Sequence, residues 1–563
     1  MQRRQFLKIS GFSTASLFFT WTNPDTGLTY ETIDFPSEVS VLSSGQWSKL
    51  TGSAGQWNNK AINVQLEHAG PSLNVKLTAP GQELEKVRLS WKRSFAPDAK
   101  YLGDDWERSY GELEWQSNSS ERKTPWYLLV HDGQQTHAFG VKTGAGSLCY
   151  WQASPQQLEL FLDTHSGGAG VLLGGRTLHA AEIIATRSLS GETPFRTDHR
   201  FCKMMCDKPV LPEKPVYGIN DWYFAYGNNS KKLILQNTDM MTHLAEDSSN
   251  RPFSVIDDGW SLKLPKGNND TCWGDDYSKS NEKFGDMAVV AADIKKLGMR
   301  PGLWTRTLLA NQHDDPNLMS PIRKDQQNLK ERFLDPTIPE NLARIGNIIG
   351  LYKDWGFELV KHDYSTYDFF GRWGFEMGEE MTASGWHFSD RSRTNAEILL
   401  ELYHTIRKAA GKMVLIGCNT VSHLSAGVFE LNRIGDDTSG KEWARTLKMG
   451  VNTLGFRLPQ HNTFYAVDGD CVGLTTDIPW KENRQWMQLL AESSAPLFIS
   501  AQPDATGPEQ KAFIKKCFDS AARSQPLGEP LDWMTNLRPA KWKLNGRVVD
   551  FAWNATGVTS EGQ

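Results

Sequence analysis

Between about residue 215 and residue 505 the chain alternates two hydrophobic periods. Short apolar runs read as buried strands. Examples are Tyr217-Gly218-Ile219-Asn220, Val255-Ile256, Gly302-Leu303-Trp304, Phe357-Glu358-Leu359-Val360, Val414-Leu415-Ile416-Gly417, Val428-Phe429-Glu430-Leu431 and Leu497-Phe498-Ile499. Between them, residues 284–297, 339–355, 395–410 and 483–493 repeat their apolar positions every three to four residues, which predicts helices. Strand and helix alternate over roughly 290 residues, the size of an eight-fold barrel. The predicted fold class is α/β, a TIM (β/α)8 barrel.

Residues 28–208 carry a different pattern. Runs such as Ser72-Leu73-Asn74-Val75-Lys76-Leu77 and Trp126-Tyr127-Leu128-Leu129-Val130 are short, often alternating and separated by turn residues, which predicts an antiparallel β-sandwich domain. Pro209, Pro212 and Pro215 mark the linker to the barrel at 215–505. Beyond it, 506–563 holds a last helix near 508–523 and an alternating stretch at 542–553. That remainder predicts a short or truncated C-terminal β segment. Residues 1–27 combine a basic start with a modestly apolar stretch, the layout of an export signal rather than a membrane span. Arg3-Arg4-Gln5-Phe6-Leu7-Lys8 resembles the twin-arginine signal, which implies a periplasmic or secreted protein.

Composition narrows the partners. A net charge of −5 and a pI near 6.3 argue against nucleic acid, which wants a basic face. The 21 Trp suit sugar platforms as well as sheet cores. The seven Cys leave at least one unpaired, with Cys202-x-x-x-Cys206 a candidate short bridge. No His/Cys spacing matches a zinc site, and neither metal nor cofactor is expected. No later segment is apolar enough to span a bilayer.

The chemistry gathers at the ends of the strands. Asp363 closes the run Phe357-Glu358-Leu359-Val360-Lys361-His362-Asp363, with Lys361 two residues earlier on the same face. A carboxylate held there is a candidate nucleophile, because barrel sites open at the C-terminal ends of strands. His362 points to the other face and reads as structural. Asp257-Asp258, Asp436-Asp437 and Asp468-Gly469-Asp470 repeat the pattern. Helix capping accounts for one such acid but poorly for four acid-tipped strand ends on one face.

Five segments, in order, resemble the melibiase-type α-galactosidases of glycoside hydrolase families 27 and 36. They are Tyr217-Gly-Ile-Asn-Asp-Trp222, Ile256-Asp257-Asp258-Gly259-Trp260, Leu359-Val360-Lys361-His362-Asp363, Arg433-Ile434-Gly435-Asp436-Asp437 and Val467-Asp468-Gly469-Asp470-Cys471. The resemblance implies a retaining glycosidase acting on terminal α-linked galactose. Asp363 is then the nucleophile, kept ionised with help from Lys361, and Asp437 the acid/base, with Asp436 its rival. It also implies that Trp222, Asp257, Asp258, Trp304, Lys361, Asn419, Arg433 and Asp470 bind the sugar. Asp257 and Asp258 would take the 4-OH and 6-OH, from a wet strand tip where neither matters to stability. Gly417-Cys418-Asn419-Thr420 departs from both families at the position that reads the 2-substituent. An α-N-acetylgalactosaminide is therefore an alternative substrate; a β-L-arabinopyranoside, which lacks only the C6 carbon of galactose beside Asp258, is another, and a non-catalytic carbohydrate-binding protein a third reading.

Overall fold

The period-two alternation of the first domain does form antiparallel sheets. The computed structural model describes residues 20–22, 27–111, 113–117, 122–247, 249–263, 276–311, 314–322 and 331–553. Most of the proposed export signal, and Cys272, lie outside those residues. Thr20–Thr22, inside the stretch assigned to the signal, pairs with Thr29–Glu31. An eleven-stranded and a six-stranded antiparallel sheet make up the N-terminal domain. Ser72–Thr78 buries Leu73, Val75 and Leu77 in the first sheet, and Lys86–Lys92 buries Val87 and Leu89 in the second. These residues, with Trp126, Tyr150 and Trp151, belong to one continuous core.

One element of this domain departs from the sequence expectation. Pro194–Met205 is a helix, started by Thr193, whose side chain accepts from the Arg196 N–H, and by Pro194 in the first turn. It buries Phe195, Phe201, Met204 and Met205. Gly140 makes room for it, since a Cβ there would lie 2.7 Å from Met205 Sδ.

The middle of the chain forms one parallel sheet. Tyr217–Asn220, Phe253–Ile256, Arg300–Thr305, Leu359–His362, Val414–Gly417, Leu431–Arg433 and Ala466–Asp468 pair in consecutive order. Leu497–Ala501 pairs with the first of these strands on one side and with Cys471–Leu474 on the other. Ala466–Asp468 and Cys471–Leu474 are separated only by Gly469-Asp470, where Asp470 has φ +71°. The two ends of the sheet therefore lie on one nearly continuous stretch of chain, and the sheet curls round on itself.

Helices Met287–Lys296, Pro339–Asp354, Asn395–Ala410 and Trp480–Glu492 lie close to the stretches predicted from periodicity. Alternate strand residues Phe253, Val255, Leu359, Ile416, Leu431, Ala466 and Phe498 form a second core enclosed by the sheet. Gly302 is open to that core. A Cβ on it would lie 2.8 Å from Val255 and 3.2 Å from Leu359, so the larger neighbours occupy its space.

After helix Pro508–Ala521, the strands Glu529–Pro530, Lys541–Leu544 and Arg547–Asp550 make a small sheet, with Trp542 fully buried. Cys202 and Cys206 are free, buried thiols, so the candidate bridge does not form. Cys202 Sγ instead donates to Asp198, 3.5 Å away. Among the described residues no helix is long and apolar enough to cross a membrane.

Candidate active site

Strand parity decides which side chains reach the open end of the curled sheet. Leu359 faces the enclosed core, so Lys361 and Asp363 continue the same face toward the strand's C-terminal tip. Leu431 does the same for Arg433, Val255 for Asp257 and Ile416 for Cys418. The apolar floor thus changes to a polar layer at the ends of the strands.

Asp363 sits just past Leu359–His362. Its Oδ1 accepts the Tyr364 N–H at 2.7 Å and its Oδ2 faces Trp304 Nε1 at 3.3 Å. Trp304 is therefore both core, almost fully buried, and a contact of the proposed nucleophile. Tyr364 takes a left-handed φ of +63°, turning the chain sharply behind Asp363. His362 points away from the site. It packs on Phe429 and Tyr403, and burial pushes its pKa down to about 4, leaving the ring neutral.

Lys361 makes its hydrogen bond across the sheet. Its ammonium bonds Asp257 Oδ2 at 2.7 Å rather than Asp363. Burial works against the ammonium, but Asp257, followed by weaker contributions from Cys418 and Asp363, holds its pKa well above the ordinary value. Asn220 Nδ2 also donates to Asp257 Oδ2 at 2.7 Å, and the Asp258 N–H donates to Oδ1 at 2.9 Å. Asp257 is thus a buried, paired carboxylate at 3% exposure, not the wet strand-tip acid expected from sequence. Asp258 is less buried and its Oδ1 accepts the Gly259 N–H. Beneath the pair lies Asp221, which accepts the Asp257 N–H and Asn229 Nδ2, both at 2.7 Å. Burial, then the charge of Asp257, raises the Asp221 pKa to about 7.

Asp437 lies across the opening. Arg433 Nη2 donates to its Oδ1 at 2.9 Å, and Arg108 Nη1 faces the same oxygen at 3.4 Å. Burial pushes the Asp437 pKa up, but Arg108, Arg433, Lys361 and Arg445 together hold it below the usual carboxylate range. Asp436 turns aside into ion pairs with Arg108 at 2.9 Å and Arg445 at 2.7 Å. Asp470 is paired with Arg433, and its Oδ2 also accepts from the Tyr223 hydroxyl and from the Thr438 N–H at 2.8 Å. Trp222 is half-buried at the end of the first parallel strand, packed against the enclosed core.

Asn419 is not at the surface of the site. It follows Cys418 with opposite parity and is fully buried. Its Nδ2 donates to Glu107 Oε2 at 2.5 Å and its Oδ1 faces the Tyr367 N–H at 3.3 Å. Cys418 is the inward residue, 3.6 Å from Arg433 Nη1 and 3.7 Å from Arg108 Nη1.

Glu107 and Arg108 are residues that motif reading missed. They belong to the N-terminal domain, on a loop docked by paired backbone bonds: the Ser109 N–H to Ile434 O at 2.8 Å and the Asp436 N–H to Ser109 O at 2.7 Å. Nothing in their local sequence marks them, because the contact spans over 300 residues of chain.

The fold is similar to that of solved α-galactosidases. An α-galactosidase from Thermus thermophilus, solved with p-nitrophenyl α-D-galactopyranoside, superposes with a TM-score of 0.60 at 16% identity. The match covers 92% of this chain and 99% of that one. An α-galactosidase from Lactobacillus brevis gives 0.58 at 14% identity, covering 91% and 69%. A family 36 α-galactosidase variant from Geobacillus stearothermophilus, bound to 1-deoxygalactonojirimycin, gives 0.56 at 11%, covering 90% and 76%. At these identities the likeness is one of fold. No family model and no curated protein sequence matches the chain.

Proposed function

We propose that this protein is a retaining glycoside hydrolase that releases terminal α-linked galactose from oligo- or polysaccharides. The observation that carries the reading is the pair of strand-end carboxylates, Asp363 against the Tyr364 N–H and Trp304 and Asp437 against Arg433 and Arg108. The curled sheet is read as a (β/α)8 barrel with a jogged seventh strand, and its open end as the sugar pocket. Asp363 attacks the anomeric carbon while Asp437 protonates the departing oxygen. Asp437 then takes a proton from the water that breaks the glycosyl-enzyme bond. Because Asp437 is held ionised by its arginines, it has to take up a proton before it can act as acid. The sugar itself is held by Asp257, Asp258, Lys361, Arg433, Asp470 and the Trp222 and Trp304 rings, with Asn419 positioning the pocket wall from behind. The likeness to α-galactosidases solved with galactosides or a galactose-type iminosugar supports galactose. The twin-arginine-like start supports export.

Two measurements test this. Wild-type enzyme is expected to hydrolyse 4-nitrophenyl α-galactoside ahead of α-glucoside, β-L-arabinopyranoside and α-N-acetylgalactosaminide. A site built to bond a hydroxyl rejects the analogue lacking it by roughly 10⁴, so comparable rates on galactoside and glucoside count against galactose. Asp363→Asn is expected to lose turnover while still binding galactose. Retention of more than a few per cent of activity refutes the nucleophile assignment.

A further inference from the structure

The wall of the site beside Asp437 is aromatic, and the core does not account for it. Phe375 is 63% exposed, the most exposed of the large hydrophobic side chains described. Its ring lies 4.8 Å, edge-on, from Tyr110 of the N-terminal domain. Trp373 stacks on Tyr367 at 4.5 Å and lies 5.4 Å from Tyr364, the residue after Asp363. Arg108 joins this ledge to the proposed acid/base. Its guanidinium lies 5.8 Å from the Tyr110 ring centre and 5.9 Å from that of Trp373, while its Nη1 is 3.4 Å from Asp437 Oδ1. Glu107 pins both sides of the ledge. It accepts from the Tyr110 hydroxyl and, at 2.8 Å, from the Gly374 N–H.

The position of this ledge has a chemical meaning. The acid/base of a glycosidase contacts the glycosidic oxygen, so the part of the substrate beyond that oxygen lies on the acid/base side of the pocket. Aromatic faces suit the apolar C–H face of a pyranose ring. We propose that Phe375, Tyr110 and Trp373 form a subsite, built across the joint of the two domains, for the leaving-group sugar ring of an oligosaccharide. The inference rests on the α-galactosidase reading and adds the element that recognises the leaving group. The ring lies against Phe375 and Trp373, and Arg108 holds Asp437 at the edge of the platform.

The test compares two substrates that differ beyond the scissile bond. Raffinose carries a sugar there, whereas α-galactosyl fluoride carries none and needs no acid. Phe375→Ala is suited to the test because the side chain is exposed and its loss opens no core cavity. It is expected to lower kcat/KM on raffinose about tenfold more than on the fluoride, the size of one aromatic contact, and Phe375→Trp is expected to restore the ratio. Equal effects of Phe375→Ala on both substrates, or none on either, overturn the subsite. Wild-type enzyme that releases neither galactose nor fluoride overturns the α-galactosidase reading itself, and the subsite with it.

Discussion

Asp437 carries the sharpest electrostatic consequence at the scale of single residues. Its proposed role as acid requires the protonated form of the free enzyme, so kcat/KM is expected to fall as pH rises through its pKa. Arg108 is the foremost charge holding that pKa low. Replacing it with Gln is therefore expected to move the basic limb of the kcat/KM profile to higher pH, and a limb that stays in place removes Asp437 from the acid role. Asp257 makes a second case. As the buried partner of Lys361, its loss leaves an uncompensated ammonium. Asp257→Ala is expected to destabilise the fold by about 3–5 kcal/mol as well as to cut activity, with denaturant titration as the measure. A cost below about 1 kcal/mol, the usual worth of an exposed pair, means that water reaches Lys361 freely. The sequence carried the identities of these acids, since each stands at a strand end. It did not carry their partners. Lys361 and Asp363 share a strand face, yet the lysine's bond goes across to the second strand. Parity alone separates Cys418 from Asn419, because Ile416 faces the enclosed core and the residue two positions on must face the same way.

The elements themselves were the most legible part. Asn395–Ala410 is bounded by Thr394, whose side chain caps the Glu397 N–H, and by Gly411 at φ +60°, so both period and punctuation were present. Pro194–Met205 was missed because it is only three turns long and follows a run of strands, although Thr193-Pro194 is a helix start in its own right. The jog at Gly469-Asp470 was invisible as well, since nothing in an acidic turn says that one strand will pair with two neighbours in succession. The first parallel strand adds a testable pH effect through Asp221, at its C-terminal edge. Its folded pKa of about 7 exceeds the ordinary 3.8. The folded state therefore binds its proton more tightly than the unfolded chain does. That contribution is complete below the ordinary carboxylate pKa and is lost as pH rises through about 7, on the order of a few kcal/mol. Asp221→Asn is expected to flatten the dependence of Tm on pH between 4 and 7. An unchanged slope assigns the dependence to other groups.

Across the whole molecule the two domains share buried polar groups, which makes the joint part of the fold rather than a tether. Arg457, on the barrel side, is almost wholly buried. Its Nε pairs with Asp104 of the N-terminal domain at 2.8 Å, and its Nη1 donates to Glu107 O at 2.8 Å and to Ile434 O at 3.0 Å. Gln460 reaches the same Asp104 at 2.9 Å and the Tyr127 hydroxyl at 3.0 Å. His423 stacks on Trp126 at 4.7 Å and meets Val141 O at 2.7 Å. Removing one member of a buried pair costs about 3–5 kcal/mol, because the remaining charge has neither water nor partner. Separating the domains strands several such groups at once. Heat or denaturant is therefore expected to unfold the chain in one transition, followed alike by tryptophan fluorescence and loss of activity, and Arg457→Ala is expected to lower the Tm of both signals together. A chain cut to residues 209–553 is expected to lack activity even if kept soluble, since it has lost Arg108 and the Glu107 anchor of the wall carrying Asn419. If that fragment instead folds alone and turns over galactosides, the N-terminal domain is an appendage and Asp437, the proposed acid/base, needs only Arg433.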